Sequence, residues 1–245
     1  RKTHMRVELL EQLLAASRRR LSSAVATNLA TGAQSIFVGP EAAGEGDVSL
    51  RPEELALVRR AMTSHQGRSI DTQAGTVFVD VWSPPPRLFV VGAVHIAQLL
   101  VPLARIAGYD VTVIDPRTAF ATAERFPDTT LRHEWPDEAL GALSVDERTA
   151  VVTLTHDPKI DDPALHAALR SAAFYVGSLG SRRTHAKRVE RLTQAGFDGG
   201  SIARIYGPVG LAIGALTPGE IAISIVAQMT AVLRGGSASP ARAGA

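Results

Sequence analysis

The chain of 245 residues has no cysteine. That excludes disulfides, thiolate metal sites and cysteine nucleophiles together. Aromatic residues make up only 5%, and no basic stripe is interleaved with them, so nothing points to nucleic acid as a partner. No apolar run reaches the roughly 18 residues needed to suggest a membrane span. The 7 histidines are scattered, without the HxH or HExxH spacing that would gather a transition metal. The first five residues, Arg1-Lys2-Thr3-His4-Met5, lack an apolar signal core and read as expression-vector residues ahead of a native start at Met5. The expectation is a cytoplasmic protein with no resident metal.

The formal net charge is only +2, yet all but three of the 26 basic residues are arginine. Where arginines cluster, the planar guanidinium offers a bidentate fork to phosphate or carboxylate.

Residues 6–21 carry Val7, Leu10, Leu13, Leu14 and Leu21 at helical spacing, with Arg18, Arg19 and Arg20 near the helix's negative end. Ser23–Leu29 and Gln34–Val38 read as strands joined through Thr31-Gly32 in a hairpin, and Gly44 to Asp47 as a loop. Pro52 opens a second helix through Leu55, Val58 and Met62, and Thr76–Trp82 reads as another strand. The run Ser83-Pro84-Pro85-Pro86 is an extended connector that cannot continue a sheet interior. The domains predicted are a small α+β unit over 6–83 and a second unit over 87–234, followed by a Gly/Ser/Ala/Pro-rich disordered tail over 235–245.

In the second unit strand and helix patterns alternate. Apolar runs around Val90, Val113, Leu131, Val151–Thr155 and Phe174–Val176 are separated by helix-like stretches such as Asp162–Ala172 and Ser181–Ala195. Near-continuous apolar strands with intervening helices predict an α/β fold, a Rossmann-like parallel sheet covered on both faces. Thr217 as N-cap, Pro218 at the first helical position and Glu220 in a capping box mark the last helix. Its apolar residues, among them Ile221, Ile225 and Val232, exceed what one sheet face may cover, which leaves two readings, plain core or a homodimer.

Within this unit the strand ending at Val91 breaks at Gly92 and passes into a helix at Ala93-Val94-His95; a second strand ends on Asp115. This is the layout of a dinucleotide-binding βαβ unit, with a glycine turn, a helix N-terminus facing phosphate and an acid placed for a ribose hydroxyl. Val94 departs from it, because an isopropyl group stands where a second glycine would let backbone approach a pyrophosphate. Arg117, two residues after Asp115, weakens the ribose reading.

Ligands of an open parallel sheet bind beyond the carboxyl ends of its strands. The residues there are Gly92 and His95, then Asp115 and Arg117, then His156 and Asp157. The fourth loop supplies Gly177, Ser178, Gly180, Ser181, Arg182 and Arg183, and a fifth Gly207, Pro208 and Gly210. The fourth loop, running into a helix with Lys187, Arg188 and Arg191, is either a phosphate cradle or a plain turn followed by a solvated basic face. His156-Asp157 is either an acid–base pair or the start of a turn at Pro158. His95 is placed either to bond a ligand or to pack on its own turn. No nucleophile–base pair stands out among these residues.

The blocks Gly92-Ala93-Val94-His95-Ile96-Ala97, Gly108-Tyr109-Asp110-Val111, Asp115-Pro116-Arg117 and Arg125-Phe126-Pro127 resemble the C-terminal domain of the XdhC/CoxI family. So do Thr155-His156-Asp157, Tyr175 through Arg183, Gly207-Pro208-Val209-Gly210-Leu211 and Thr217 through Ala222, collinear over about residues 87–234. The resemblance implies a Rossmann-type accessory factor for molybdenum hydroxylases such as xanthine dehydrogenase or carbon monoxide dehydrogenase. Such a factor holds molybdenum cofactor (molybdopterin or its dinucleotide form) for sulfuration and delivers it to the apo-enzyme, with a cysteine desulfurase as a further partner. The chain departs from the family at Val94, where Gly-x-Gly is common. It also lacks the Ser-Gly-Gly-Cys type segment of many N-terminal domains. Two other readings stay open: an NAD(P)-dependent oxidoreductase, and a protein-docking module without a small-molecule ligand.

Overall fold

The first sheet buries both faces of its central strands between two helices, and unbroken apolar runs build the second. The computed structural model describes residues 6–39, 41 and 43–236; the expected vector residues, and all of the expected tail except Gly235 and Gly236, lie outside them. The chain divides into two compact units between Pro84 and Pro85.

In the first unit, α1 (Val7–Arg18) precedes β1 (Ser23–Asn28), β2 (Gln34–Val38) and the two-residue β3 (Glu45–Gly46). Then come α2 (Pro52–Ser64), β4 (Arg68–Thr72) and β5 (Gly75–Trp82), closing an antiparallel sheet of order β3-β2-β1-β5-β4. Successive strand side chains point to opposite faces. Val25 and Ile36 therefore pack with Leu9 and Leu13 of α1, while Ala24, Ala26 and Phe37 pack with Val58, Ala61 and Met62 of α2. The apolar face expected for α1 is corrected. Leu9, Leu13 and Ala16 form the buried stripe, whereas Val7, Leu10 and Leu14 are exposed. Strands β3 and β4 are not legible in the sequence, because polar composition hides both.

The second unit contains β6 (Arg87–Val91), α3 (His95–Ile106), β7 (Asp110–Ile114), β8 (Thr130–Arg132) and α4 (Pro136–Leu143). It continues with β9 (Thr149–Thr153), α5 (Pro158–Leu169), β10 (Tyr175–Ser178), α6 (Arg182–Gln194), α7 (Gly199–Ile202), β11 (Ile205–Tyr206) and α8 (Pro218–Leu233). All six strands are parallel, in the order β11-β10-β9-β6-β7-β8. Chain order reverses between β6 and β9, which makes their carboxyl ends the switch point of a Rossmann sheet.

Leu88, Val90, Val113 and Val152 face α3 and α8, and Phe89, Val91, Val151 and Val176 face α4 and α5. Helix α8 is capped as expected: Thr217 Oγ1 accepts from Glu220 N at 3.3 Å, and the Glu220 carboxylate accepts from Thr217 N at 2.9 Å. Its Ile225 and Met229 are fully buried against the unit's own core, so the apolar surplus that suggests a dimer is largely consumed internally. None of the described helices is long and apolar enough to cross a membrane.

Candidate functional site

The switch point opens at Gly92, whose φ of +107° suits a residue without Cβ. A Cβ there would stand 2.5 Å from Thr155 Cγ2 on the loop after β9, so the glycine is required by a neighbouring strand end. Val94 is the extended N-cap of α3, and its side chain packs against the core cluster shared by α3 and α8. His95 is exposed at the start of α3, with Nδ1 3.5 Å from Gln98 Oε1. Gln98 Oε1 in turn accepts from Arg125 at 3.2 Å.

Asp115 is completely buried. Its Oδ2 accepts from Ala93 N at 2.8 Å and from Arg117 Nη2 at 2.7 Å; its Oδ1 accepts from Arg117 N and Nε, both at 2.9 Å. A carboxylate offers about four acceptor positions, and all of them are filled by the protein. The ribose role expected for Asp115 is therefore corrected: the residue ties the glycine turn to the end of β7. Burial pushes its carboxyl up, but the bonds from Arg117 and Ala93 outweigh this and hold it below the usual range. Arg117 also packs over the ring of Phe120, 4.5 Å from its centroid.

Across the crevice a second carboxylate organises the loop after β9. Asp161, 2% exposed, accepts from Thr155 Oγ1 at 2.7 Å, from Thr155 N at 3.3 Å and from His156 N at 3.1 Å. Burial raises its pKa above the ordinary value despite these bonds. His156 is held at φ +63°, uncommon for a residue with a side chain, and lies at the rim. Asp157 is the N-cap of α5, accepting from Lys159 N at 3.0 Å. The turn expected at Asp157-Pro158 is instead the start of a helix, with Asp157 as its N-cap and Pro158 as its first residue. Arg117 lies within electrostatic reach of Asp157 and Asp161, which brings the two rims together.

The loop after β10 divides in two. Gly177 and Ser178 are buried strand residues, a correction to their expected place in a phosphate cradle. A Cβ on Gly177 would meet Val209 Cγ2 at 2.6 Å, and Ser178 shares a 2.5 Å hydrogen bond with Thr153. From Gly180 (φ +144°) onward the chain is open. Ser181 caps α6 by accepting from Thr184 N at 3.1 Å, and Arg182 and Arg183 are exposed on its first turn. The Gly207–Gly210 loop is likewise framework. A Cβ on Gly207 would strike His185, and Pro208 is half-buried. Gly210 N donates to the buried Gln228 at 2.8 Å, the same oxygen that receives Tyr175 OH at 2.6 Å.

Between α5 and α6 lies a cavity of about 360 Å³ lined by His156, Pro158, Asp161, Arg183, Thr184, Lys187, Arg188 and Arg191. Arg191 is paired with Asp162 through two bonds of 2.5 and 2.9 Å. Arg188 is 2% exposed and donates through Nη2 to Leu179 O at 2.8 Å. Its Nη1 lies 3.5 Å from His185 Nδ1, and its buried Nε has no hydrogen-bond partner. Desolvation lowers its pKa. Asp161, and Arg188 as a buried cation, are functional candidates that sequence reasoning misses. Arg188 shares a helix face with the buried Leu192 four residues on, and that spacing is the available signal.

A model of the XdhC Rossmann domain matches residues 88–229. The chain is 35% identical over 189 residues to the uncharacterized protein YqeB of Escherichia coli strain K12, covering 75% of this chain and 35% of YqeB. It is 32% identical over 149 residues to the molybdenum cofactor insertion chaperone PaoD of the same organism, covering 61% of this chain and 41% of PaoD. A probable xanthine dehydrogenase subunit of Bacillus subtilis strain 168 is 33% identical over 158 residues, covering 64% of this chain and 46% of that protein. The chain thus spans less than half the length of these curated relatives. A solved structure described as a xanthine dehydrogenase from Bacillus halodurans superposes with a TM-score of 0.72 at 26% identity, covering 93% of this chain and 67% of that one. The switch-point sheet order and a domain match over more than half of the residues agree: the chain belongs to the XdhC family.

Proposed function

We propose that this protein is a cytoplasmic accessory factor that binds molybdenum cofactor, holds it for sulfuration and delivers it to an apo molybdenum hydroxylase. The observation that carries the reading is the family match over 88–229 together with the 32% identity to a molybdenum cofactor insertion chaperone. The charge at the sheet end supports the same reading. A phosphorylated pterin needs cations at its phosphate, and Arg183, Lys187 and Arg188 line one cavity at the carboxyl end of the sheet, with the unpartnered Nε on Arg188. Those residues, with Ser181 and His156 at the rim, would hold the cargo. The molybdenum and its sulfur ligand are chemistry that the cargo brings.

A nicotinamide-dependent oxidoreductase fits less well. The acid that would bind a ribose is saturated by Ala93 and Arg117, and Val94 occupies the second glycine position. A carrier that must release its cargo needs moderate affinity, about micromolar. Equilibrium titration of purified protein with molybdenum cofactor, read from the pterin's fluorescent oxidation product, should give saturable one-to-one binding in that range. No binding of either the oxo or the sulfurated form overturns the proposal. Mixing the loaded protein with an apo-hydroxylase and a cysteine desulfurase tests delivery and sulfuration in turn.

A further inference from the structure

We propose that the cavity between α5 and α6 is an oxyanion site that takes the terminal phosphate of a phosphorylated ligand, separate from the switch-point turn at Gly92. The inference rests on the carrier reading and deepens it by assigning one end of the cargo to one set of residues.

Three observations carry it. First, Arg188 is a buried guanidinium with one N–H group unsatisfied. A buried donor without an acceptor is costly, more so when charged, and the carboxylates of Asp161 and Asp162 act on Arg188 through space without a hydrogen bond to it. Among the described residues its hydrogen-bond partners are a carbonyl and a histidine nitrogen, both neutral acceptors. Second, Asp161, the carboxylate facing the cavity, has its oxygens engaged by Thr155 and His156, and burial disfavours its charged form. None of these hydrogen bonds goes to the cations that line the cavity. Third, Arg183 and Lys187 are exposed and stand one turn apart on the same wall, at the positive end of α6. The cavity of about 360 Å³ is roomy for a phosphate and shallow for a whole pterin dinucleotide.

The glycine turn at Gly92 lacks these features. Asp115 places a carboxylate beneath it, and the first amide of the turn, Ala93 N, already donates to that carboxylate. A dianion there would meet a used donor and an Asp115–Arg117 pair whose charges are already spent on each other. The sheet end therefore offers phosphate a favourable site on the α5/α6 side and an unfavourable one at the place where Rossmann proteins usually hold it.

The test uses the whole chain and four probes: inorganic phosphate, phenyl phosphate, pyrophosphate and chloride at matched ionic strength. Thermal shift and calorimetry should show saturable stabilisation by phosphate and phenyl phosphate that chloride does not reproduce. Pyrophosphate binding more tightly than phenyl phosphate points to the dinucleotide form of the ligand, and the reverse order to the monoester; either order supports the site. Arg183→Ala with Lys187→Ala, both exposed, should weaken phosphate binding about tenfold or more while leaving the melting temperature without ligand unchanged. Arg188→Gln should abolish it. If that variant unfolds, the double variant alone decides. No anion-specific stabilisation of the natural sequence, or unchanged affinity in the double variant, overturns the inference. Phosphate binding without any molybdenum cofactor binding would defeat the carrier reading and leave this site standing. Cofactor binding that is insensitive to both phosphate and the double variant would do the opposite.

Discussion

Two buried charges sit at the same end of one parallel sheet, and they are treated in opposite ways. Asp115, after β7, has every acceptor position filled, by the amide of Ala93 and by three groups of Arg117. Arg188, on α6 behind β10, is as deeply buried but has an Nε without a hydrogen-bond partner, and the residue lines a cavity. A closed circuit of hydrogen bonds stabilises the fold and has nothing to offer a ligand. An open one costs stability and is kept where something from outside completes it. The β6/β7 rim is thus framework despite its dinucleotide-like layout, and the β9/β10 rim is where binding is expected.

The largest effect that would break this contrast is on stability. Asp115→Ala strips Arg117 of its partner and leaves Ala93 N–H buried without an acceptor. Urea unfolding should show a loss of about 3–4 kcal/mol. Arg117→Ala should cost a comparable amount, because it leaves the fully buried Asp115 carboxylate without its cation. A loss below about 0.5 kcal/mol for Asp115→Ala would mean that the circuit is not structural.

Gly92→Ala comes next. The new Cβ meets Thr155 at 2.5 Å and the backbone stays at φ +107°, so a destabilisation of about 2–3 kcal/mol is expected. Thr155→Ser in the same chain should restore only the steric part.

The two carboxylates should also respond to pH with opposite sign. Asp115 has a lowered folded-state pKa, so its stabilising contribution is present above the ordinary carboxylate value and is lost as pH falls through the folded one. Asp161 has a raised one, so its contribution is present at low pH and declines as pH rises through the folded value. Denaturation of the natural chain against Asp115→Ala and against Asp161→Ala, across the acidic range, should give difference curves of opposite slope. Parallel curves would refute the assignment. The smallest effect concerns Val94→Gly, which should create no measurable NAD affinity because Asp115 stays occupied. NAD binding gained by that variant would reopen the dinucleotide reading.

Much of this framework is legible in the sequence. Unbroken apolar runs such as Leu88–Val91 and Val111–Ile114 fit strands buried on both faces. The Thr217-Pro218-x-Glu220 signal marks the start of α8. The site is less legible because it depends on which charges are satisfied. Asp115 has the position of a ribose ligand in the chain, and only the fold brings Ala93 N–H and the Arg117 side chain onto it. Asp161 is hidden by where α5 starts. Asp157 and Pro158 read as a turn in the sequence, while they are the N-cap and first residue of a helix, which puts Asp161 in its first turn beneath the β9 loop. Arg188 reads as one more solvated cation, though its spacing to Leu192 sets it on the inner face of α6. Burial sorts the arginines of that helix by function, and composition alone does not.

The most direct test of the contrast is a side-by-side titration of molybdenum cofactor into the natural chain, into Arg183→Ala with Lys187→Ala, and into Arg117→Ala, each under conditions where it is fully folded. The expected result is an affinity loss of about tenfold or more for the double variant and less than about twofold for Arg117→Ala. Equal losses, or the reverse order, would contradict the assignment of binding to the β9/β10 rim.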